Sequence, residues 1–283
     1  MKENSISKKL SFEFKLSVGA NLLMKRFLIF TLLFSLATAT YGQDKNNFEP
    51  FRLIAHRGGV VSDQAPENSL LALKEAIAKG YYMVEIDVRL TKDSVLITNH
   101  DADFKKDFNI DKKVSDMTWE EIQQMSHPNG HKVQLFEEVL AYSQGKIEVM
   151  IDNKIVGYDK ALFESIVELL RKYKLLEAAL MIGTEESTEF FTGKVRLSCT
   201  REQIEENQAR NDYQSSNYFL FGRDLSVVDV KWAEEKKIMT VAAINSFSFP
   251  KDSFMKKAKQ QINQLKSSGV LIFQIDSVFE DFF

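Results

Sequence analysis

The sequence predicts an α/β protein that folds as a (β/α)8 barrel of the TIM type, with a β-hairpin excursion after the second strand. Nine short apolar or β-branched runs alternate with amphipathic segments of helical length. One run follows its predecessor too closely to be parallel to it, which leaves eight strands for a parallel barrel. The 283 residues are enough for one such domain.

The predicted strands are short and rich in Val, Ile, Leu, Met and Phe. They cover residues 53–55, 83–90, 95–99, 147–151, 179–182, 195–199, 218–221, 238–244 and 270–275. Only residues 91–94 separate the second strand from the third, whereas a parallel crossover needs roughly a dozen residues or more. The third strand is therefore expected to return antiparallel beside the end of the second.

Helices are predicted between the strands, where apolar residues recur at helical spacing. They cover residues 67–79, 118–125, 136–143, 160–174, 201–210, 226–236 and 252–267. The first of them begins with an acidic residue and stops at Gly80, a residue that commonly ends helices. The alternation of these helices with the strands is typical of a barrel with parallel strands.

The N-terminal segment, residues 1–43, is predicted to be a signal peptide. Met24 and two basic residues precede the apolar run 27–36, and small residues follow that run. An uncleaved anchor is the alternative, although the run is short of the ~20 residues of a comfortable membrane span. Residues 1–23 precede Met24 and indicate an over-long start. The expectation is an exported protein with one barrel domain at 44–283.

Composition excludes several classes of function. Six of the 37 Lys and Arg residues and two of the 40 Asp and Glu residues precede position 44, so the remainder has a net charge of −7. An acidic body argues against a nucleic-acid partner. Cys199 is the only cysteine, so no intramolecular disulfide can form, and it is expected to be a small core residue.

Two carboxylates lie on one strand, two residues apart. Glu85 and Asp87 therefore share a face, and like charges in a barrel mouth repel unless a cation neutralises them. Hard oxygen ligands favour Mg²⁺ or Ca²⁺. The alternative is that one of them caps or pairs with a helix. Asp152 and Lys154 end another strand with the same spacing and are candidates for a third metal ligand and a phosphate contact, or for a salt bridge.

Two histidines lie at strand ends. His56 ends the first strand, and the hairpin brings His100 back beside Glu85 and Asp87. Two imidazoles that flank one bound group can act as general base and general acid, and Arg57 can hold a phosphate with its guanidinium fork. A lone histidine is more often structural, but two of them beside acids favour catalysis.

Five motifs in this region resemble those of the glycerophosphodiester phosphodiesterase family. They occur in the family's order between residues 53 and 101: His56-Arg57-Gly58, Pro66-Glu67-Asn68-Ser69, Glu85-Ile86-Asp87, Thr91-Lys92-Asp93 and His100-Asp101. Weaker likeness extends to the closing segment, which ends at Asp276. The resemblance covers most of the chain after residue 50.

The resemblance implies metal-dependent hydrolysis of glycerophosphodiesters to glycerol 3-phosphate and an alcohol. The glycerol hydroxyl next to the phosphate is implied to attack phosphorus, which leaves a cyclic phosphate for hydrolysis. The implied roles are acid–base catalysis for His56 and His100, binding of one divalent cation, Mg²⁺ or Ca²⁺, for Glu85, Asp87 and Asp152, phosphate binding for Arg57 and Lys154, and support for Glu67 and Asp101.

Departures from the family pattern keep other functions open. Asp152 stands where the family usually has Glu, and Ala242 stands where it usually has Trp, so an aromatic wall of the pocket is expected to be missing. The alternatives are a barrel phosphodiesterase for lysophospholipids or sphingophospholipids, and a catalytically degenerate phosphodiester-binding protein. The partner is expected to be a small molecule, with no stable membrane span in the mature chain; the oligomeric state is open.

Two further expectations concern the rim of the barrel. About thirty residues separate Asp101 from the segment at Val133, too few for a large cap, and His127 and His131 within them are expected to be exposed. Several phenylalanines near strand ends are expected to pack in the core, with a lipid-facing lip as the alternative: Phe219, Phe221, Phe247 and Phe249.

Overall fold

The computed structural model describes residues 48–283, and the predicted signal peptide at 1–43 lies outside the described residues. The strands within this range are β1 (Arg52–Ala55), β2 (Met83–Leu90), β3 (Leu96–Thr98), β4 (Asp103–Phe104), β5 (Ile110–Lys113), β6 (Gln134–Leu135), β7 (Glu148–Asn153), β8 (Leu180–Ile182), β9 (Arg196–Cys199), β10 (Tyr218–Gly222), β11 (Met239–Ile244) and β12 (Ile272–Ile275). The α-helices are α1 (Leu70–Lys79), α2 (Lys105–Phe108), α3 (Trp119–Gln123), α4 (Phe136–Ser143), α5 (Lys160–Lys172), α6 (Glu185–Phe191), α7 (Arg201–Asn207), α8 (Val227–Glu235) and α9 (Phe254–Ser267).

Eight parallel strands close into a barrel. Their order is β1-β2-β7-β8-β9-β10-β11-β12, and β12 pairs with β1 to complete the ring. The antiparallel strand β3 pairs with β2, with Leu96 opposite Leu90, and β6 continues the sheet outside the ring. The predicted barrel and its hairpin excursion are therefore confirmed. Within residues 48–283, no helix combines the length and the apolar character needed to cross a bilayer.

Two cores fill the barrel domain because side chains alternate along each strand. One set points into the barrel and forms a small apolar cluster: Ile54, Met83, Met150, Leu180, Phe219 and Val241. The other set packs against the surrounding helices in a larger cluster, which includes Cys199 and Ala242. The expected core position of Cys199 is therefore confirmed. The apolar interior forms a floor beneath the carboxyl ends of the strands, where the polar residues lie.

The start of α1 differs from the prediction by three residues. The helix begins at Leu70 rather than at Glu67, because the Ser69 side chain accepts a hydrogen bond from the Ala72 amide and caps it. Asn68 has a φ of +56°, which is incompatible with a right-handed helix. Glu67 and Asn68 are thereby released into the turn above the barrel. The helix α6, which the sequence pattern did not predict, is capped in the same manner by Thr184.

The segment after β3 is more ordered than a simple loop. Strands β4 and β5 form a small separate sheet, and β4, α2, α3 and the chain around them share a core. That core comprises Ile97, Phe104, Phe108, Val114, Met117, Ile122, Met125 and Val133. His127 and His131 are half-buried there, with their rings stacked at 4.6 Å, so the expectation that they are exposed was wrong. The ring of Phe108 lies perpendicular to both imidazoles, with centroids 6.0 and 5.6 Å away.

Candidate active site

Three carboxylates meet at the carboxyl end of the barrel. Glu85 and Asp87 follow Met83 on the inward face of β2, so this face passes from apolar floor to acid within four residues. Asp152 is the register partner of Asp87 on the neighbouring strand β7. One oxygen from each of the three carboxylates lies within 4.8 Å of the other two. The predicted metal ligands are thus brought together by two adjacent parallel strands.

The chemistry of this cluster fits a divalent cation. Glu85 and Asp87 are fully buried, and Oε1 of Glu85 and Oδ1 of Asp87 accept no hydrogen bond. Burial, together with the charges of Asp87 and Asp152, raises the pKa of Glu85 well above its ordinary value. Buried carboxylate oxygens that accept no hydrogen bond are costly unless a cation binds them. The two oxygens are therefore available as hard ligands of the kind that Mg²⁺ and Ca²⁺ prefer.

Lys154 lies beside the same cluster. Its Nζ donates to Oδ2 of Asp152 at 2.7 Å and forms an ion pair with Oδ1 of Asp87 at 3.4 Å. Burial lowers the pKa of Lys154, but its attraction to Asp152 and Asp87 outweighs burial and raises the pKa. Burial also raises the pKa of Asp152, against the opposing effect of Lys154. The lysine therefore stays charged at the edge of the site, where an anionic substrate would meet it.

His56 is held by a carboxylate from the last strand. It follows β1, its amide donates to the Ile275 carbonyl, and its Nδ1 lies 2.5 Å from Oδ1 of Asp276. The other oxygen of Asp276 accepts the Ser246 amide at 2.6 Å. Burial raises the pKa of Asp276, but the hydrogen bonds from His56 and Ser246 outweigh it and keep the pKa below its ordinary value. This arrangement fixes the ring and leaves Nε2 for proton transfer.

His100 has a similar partner in the neighbouring residue. Its Nδ1 lies 2.7 Å from Oδ1 of Asp101, and Arg89 donates two hydrogen bonds, at 3.0 and 2.6 Å, to its carbonyl. Burial raises the pKa of Asp101, but the hydrogen bond and charge of His100 hold it below its ordinary value. The Asn99 amide donates to the backbone of Asp87 and so links the His100 segment to the acids.

The turn after His56 positions Arg57. Both Arg57 and Asn68 have a φ of +56°, a left-handed conformation that is unfavourable for non-glycine residues. The Arg57 amide donates to Oε2 of Glu85 at 2.6 Å, and its carbonyl accepts the Asn68 amide. A Cβ at Gly58 would lie only 2.5 Å from Cα of Asn68, so the close approach of the two turns requires glycine there.

Glu67 supports the arginine rather than the acid cluster. Its Oε2 accepts from the Arg57 guanidinium at 2.7 Å and from Lys106 at 2.8 Å. Burial lowers the pKa of Arg57, but the hydrogen bond to Glu67 and its charge outweigh burial and raise it. The family resemblance implied a supporting role for Glu67, and the structure gives it the Arg57 guanidinium as a partner.

The predicted site residues therefore lie around one group of acids. The backbone amide of Arg57, next to His56, donates to Glu85, and that of Asn99, next to His100, donates to the Asp87 carbonyl, so both histidine segments are tied to β2. Sequence analysis missed the contacts of Asp276, Arg89 and Asn68, whose Nδ2 donates to Oδ2 of Asp87 at 3.1 Å. Arg89 could have been found, because residues 85, 87 and 89 share one face of β2.

A cleft of about 340 Å³ opens beside His56 and Arg57. Ala242 does not line it, since this residue is fully buried in the core that β11 shares with the helices. A larger residue at position 242 would face that core, so the expected loss of an aromatic wall was wrong. The aromatic residue of the cleft is Phe247, whose ring centroid lies 6.5 Å from that of His56.

Comparison with known sequences agrees with this geometry. The model of the glycerophosphoryl diester phosphodiesterase family matches residues 56–273. An uncharacterized protein of Bacillus subtilis, YqiK, is 28% identical over 140 residues, which are 46% of this chain and 56% of that protein. A glycerophosphodiester phosphodiesterase of Caldanaerobacter subterraneus is 30% identical over 139 residues, with the same coverage. The chain spans about half the length of these curated relatives.

Solved structures share the fold. A glycerophosphoryl diester phosphodiesterase from Parabacteroides distasonis superimposes with a TM-score of 0.65 at 24% identity and covers 85% of this chain and 86% of its own. An Oleispira antarctica phosphodiesterase, solved with the product sn-glycerol-3-phosphate, gives a TM-score of 0.56 at 18% identity and covers 82% of this chain and 96% of its own. By its family match over most of the described residues, this chain belongs to the glycerophosphoryl diester phosphodiesterase family.

Proposed function

We propose that the protein hydrolyses glycerophosphodiesters to glycerol 3-phosphate and an alcohol, with one divalent cation as cofactor. One observation carries the proposal: buried oxygens of Glu85 and Asp87 that accept no hydrogen bond lie at the same end of the barrel as two histidines whose Nδ1 atoms are held by carboxylates. An acid cluster that is costly for folding and flanked by oriented imidazoles is typical of a metal-assisted catalytic site. Family membership and the product complex of the Oleispira antarctica relative support the same reaction.

The two histidines supply the proton transfers. One imidazole accepts the proton of the glycerol hydroxyl adjacent to the phosphate as the oxygen of that hydroxyl bonds to phosphorus. The other protonates the departing alcohol oxygen as its bond to phosphorus breaks. Water then opens the cyclic phosphate, with the proton transfers reversed. Asp276 and Asp101 hold His56 and His100 in orientation for both steps.

Charged groups around the histidines bind and neutralise the phosphate. Glu85, Asp87 and Asp152 would hold Mg²⁺ or Ca²⁺, which when bound supplies positive charge to the phosphoryl oxygens. Arg57 offers a planar fork of donors and Lys154 a point charge; the backbone amide of Arg57 contacts Glu85, and Nζ of Lys154 contacts Asp87. Glu67 fixes the guanidinium from the far side.

The test is hydrolysis of glycerophosphocholine by residues 44–283, with glycerol 3-phosphate measured as product. We expect activity with Mg²⁺ or Ca²⁺, loss of activity in EDTA, and recovery when the metal is restored. The Glu85→Gln variant, nearly the same size but neutral, should be inactive at every metal concentration. Full activity in EDTA, or no release of glycerol 3-phosphate from folded protein with metal, would refute the proposal.

We also propose that the protein is exported. The support is the basic start at Met24, the apolar run 27–36 and the small residues that follow it. Expression of the whole chain in a bacterial host should give a mature protein that begins near residue 44 outside the cytoplasm. N-terminal sequencing of the fractionated protein tests this, and an uncleaved chain in the cytoplasm would refute it.

A further inference from the structure

The lip of the cleft beside His56 is apolar and exposed. Three of its lining side chains are hydrophobic and face water: Val61 is 39% exposed, Phe247 68% and Val278 48%. Each comes from a different loop, after β1, β11 and β12 respectively, and these three strands are neighbours in the barrel. Single exposed apolar residues are ordinary, but three around one catalytic cleft form a contiguous surface that is available to a ligand.

Hydrogen bonds join the three loops to each other. The Val61 amide donates to Oγ of Ser277 at 3.1 Å, which links the first loop to the last. Asp276, next to Ser277, accepts the Ser246 amide at 2.6 Å, which links the Phe247 loop to the same segment. Asp276 also holds His56. The apolar lip is therefore fixed relative to the imidazole and loses little conformational freedom when a ligand binds.

A deacylated glycerophosphodiester has no group that matches the whole of this lip. Glycerol, ethanolamine and phosphate are polar and gain nothing from an apolar surface, and the quaternary ammonium group of choline would use the ring of Phe247 but neither valine. A lysophospholipid with an acyl group on the 1-position of glycerol offers a hydrocarbon chain next to the reacting phosphate. It also keeps a hydroxyl adjacent to the phosphate, so the proposed attack on phosphorus, the departure of the alcohol and the opening by water proceed unchanged.

We infer that Val61, Phe247 and Val278 bind the acyl chain of a 1-acyl lysophospholipid, and that such substrates are favoured over deacylated ones. This inference rests on the proposed function and names the substrate class of the same site. The products are the head-group alcohol and a 1-acyl glycerol 3-phosphate. Phe247 is the specificity-determining residue, because it is the largest and most exposed of the three. Its ring centroid also lies 6.5 Å from that of His56.

Four substrates test the inference: glycerophosphocholine, glycerophosphoethanolamine and the 1-octanoyl form of each, at concentrations that keep them monomeric. We expect the acyl group to raise kcat/KM about tenfold or more, because burial of two or three methylene groups gives a factor of that order. Phe247→Ser should reduce the ratio of acylated to deacylated kcat/KM towards one, and Val278→Ser should reduce it less. Val228→Ser, which changes an exposed valine on α8 away from the cleft, should leave the ratio unchanged.

Any other result contradicts the inference and identifies which part of it is wrong. Hydrolysis of the deacylated substrates with no gain from the acyl group refutes the chain-binding lip and leaves the proposed function standing. A ratio that Phe247→Ser does not change refutes the role of Phe247. A loss in Phe247→Ser that is confined to both choline substrates would instead assign the ring to the quaternary ammonium group. No hydrolysis of any of the four substrates refutes the proposed function as well.

Discussion

The two halves of the barrel are built for different purposes. Strands β12, β1, β2 and β7, with the hairpin on β2, supply the acid cluster and the residues that hold the histidines. On the opposite side, Ile182 at the end of β8 and Phe221 on β10 pack onto the apolar cluster inside the barrel. One half therefore presents charge at the same rim where the other continues the hydrophobic core.

The catalytic half contains features that lower the stability of the fold. The catalytic half contains buried carboxylate oxygens without hydrogen bonds, and the left-handed residues Arg57 and Asn68 lie beside them. The left-handed Lys174 and Lys237 of the other half instead follow helix ends. Each of these features is unfavourable for folding. Such features are typical of functional sites, where the surrounding structure holds them in place. The apolar half has fully buried Leu180 and Phe219 and contributes to stability instead.

The contrast between the catalytic half and the apolar half predicts that the two histidines matter for activity and not for folding. His56→Ala and His100→Ala should each lower kcat about 10³-fold, because each removes one proton-transfer group. The melting temperature should change by only a few degrees. Kinetics and thermal unfolding on the same preparations check this. His127→Ala is the control, because His127 packs against Phe108 of the small separate core, and it should retain activity. A histidine variant with near-normal kcat would contradict the assigned roles.

The opposite half is expected to give the reverse result. Phe219 is fully buried inside the barrel, so Phe219→Ala should lower the free energy of unfolding by about 3–5 kcal/mol through lost burial and a cavity. At a temperature where the variant is still folded, its kcat should stay within a few-fold of normal. Denaturant unfolding and activity at low temperature measure the two effects. A large loss of kcat without loss of stability would mean that the interior floor also positions the site.

Asp276 tests one part of the catalytic half separately, because it holds His56 and Ser246 rather than the acid cluster. Asp276→Asn keeps the size of the side chain and removes the charge that holds Nδ1 of His56. We expect kcat to fall about 10- to 100-fold with KM nearly unchanged, since the ring loses its orientation but phosphate binding is kept. Steady-state kinetics separates the two constants. A rise in KM with normal kcat would indicate a binding role instead.

Much of the fold followed from the sequence because strands and helices differ in their hydrophobic period. Even the short strands predicted at 195–199 and 218–221 formed in the expected places as β9 and β10. The small core after β3 was not predicted. Its strands have only two to four residues, and its contacts join residues far apart in the sequence.

The site was predicted in its components and less well in its contacts. The histidines, Asp152, Arg57 and Lys154 lie at strand ends, and Glu85 and Asp87 share one face of β2, which places all of them at one rim of a barrel. Which partner each one takes depends on neighbours from other strands: Asp276 on His56, Glu67 on Arg57 and Arg89 on His100. The orientation of Ala242 and the exposure of Phe247 likewise depend on the three-dimensional packing. A single sequence read along the chain does not contain these pairings.

The cation site is the central claim, and thermal unfolding of the wild type and Glu85→Gln tests it without an assay of activity. In EDTA, Glu85→Gln should melt a few degrees higher than the wild type, because a buried charge is removed while Gln can still accept the Arg57 amide. With Mg²⁺ or Ca²⁺ at about 100 times its dissociation constant, the wild type should gain about 2–3 kcal/mol and the variant much less. If neither metal shifts the wild type and Glu85→Gln melts at a lower temperature in EDTA, Glu85 stabilises the fold and the cluster is not a cation site.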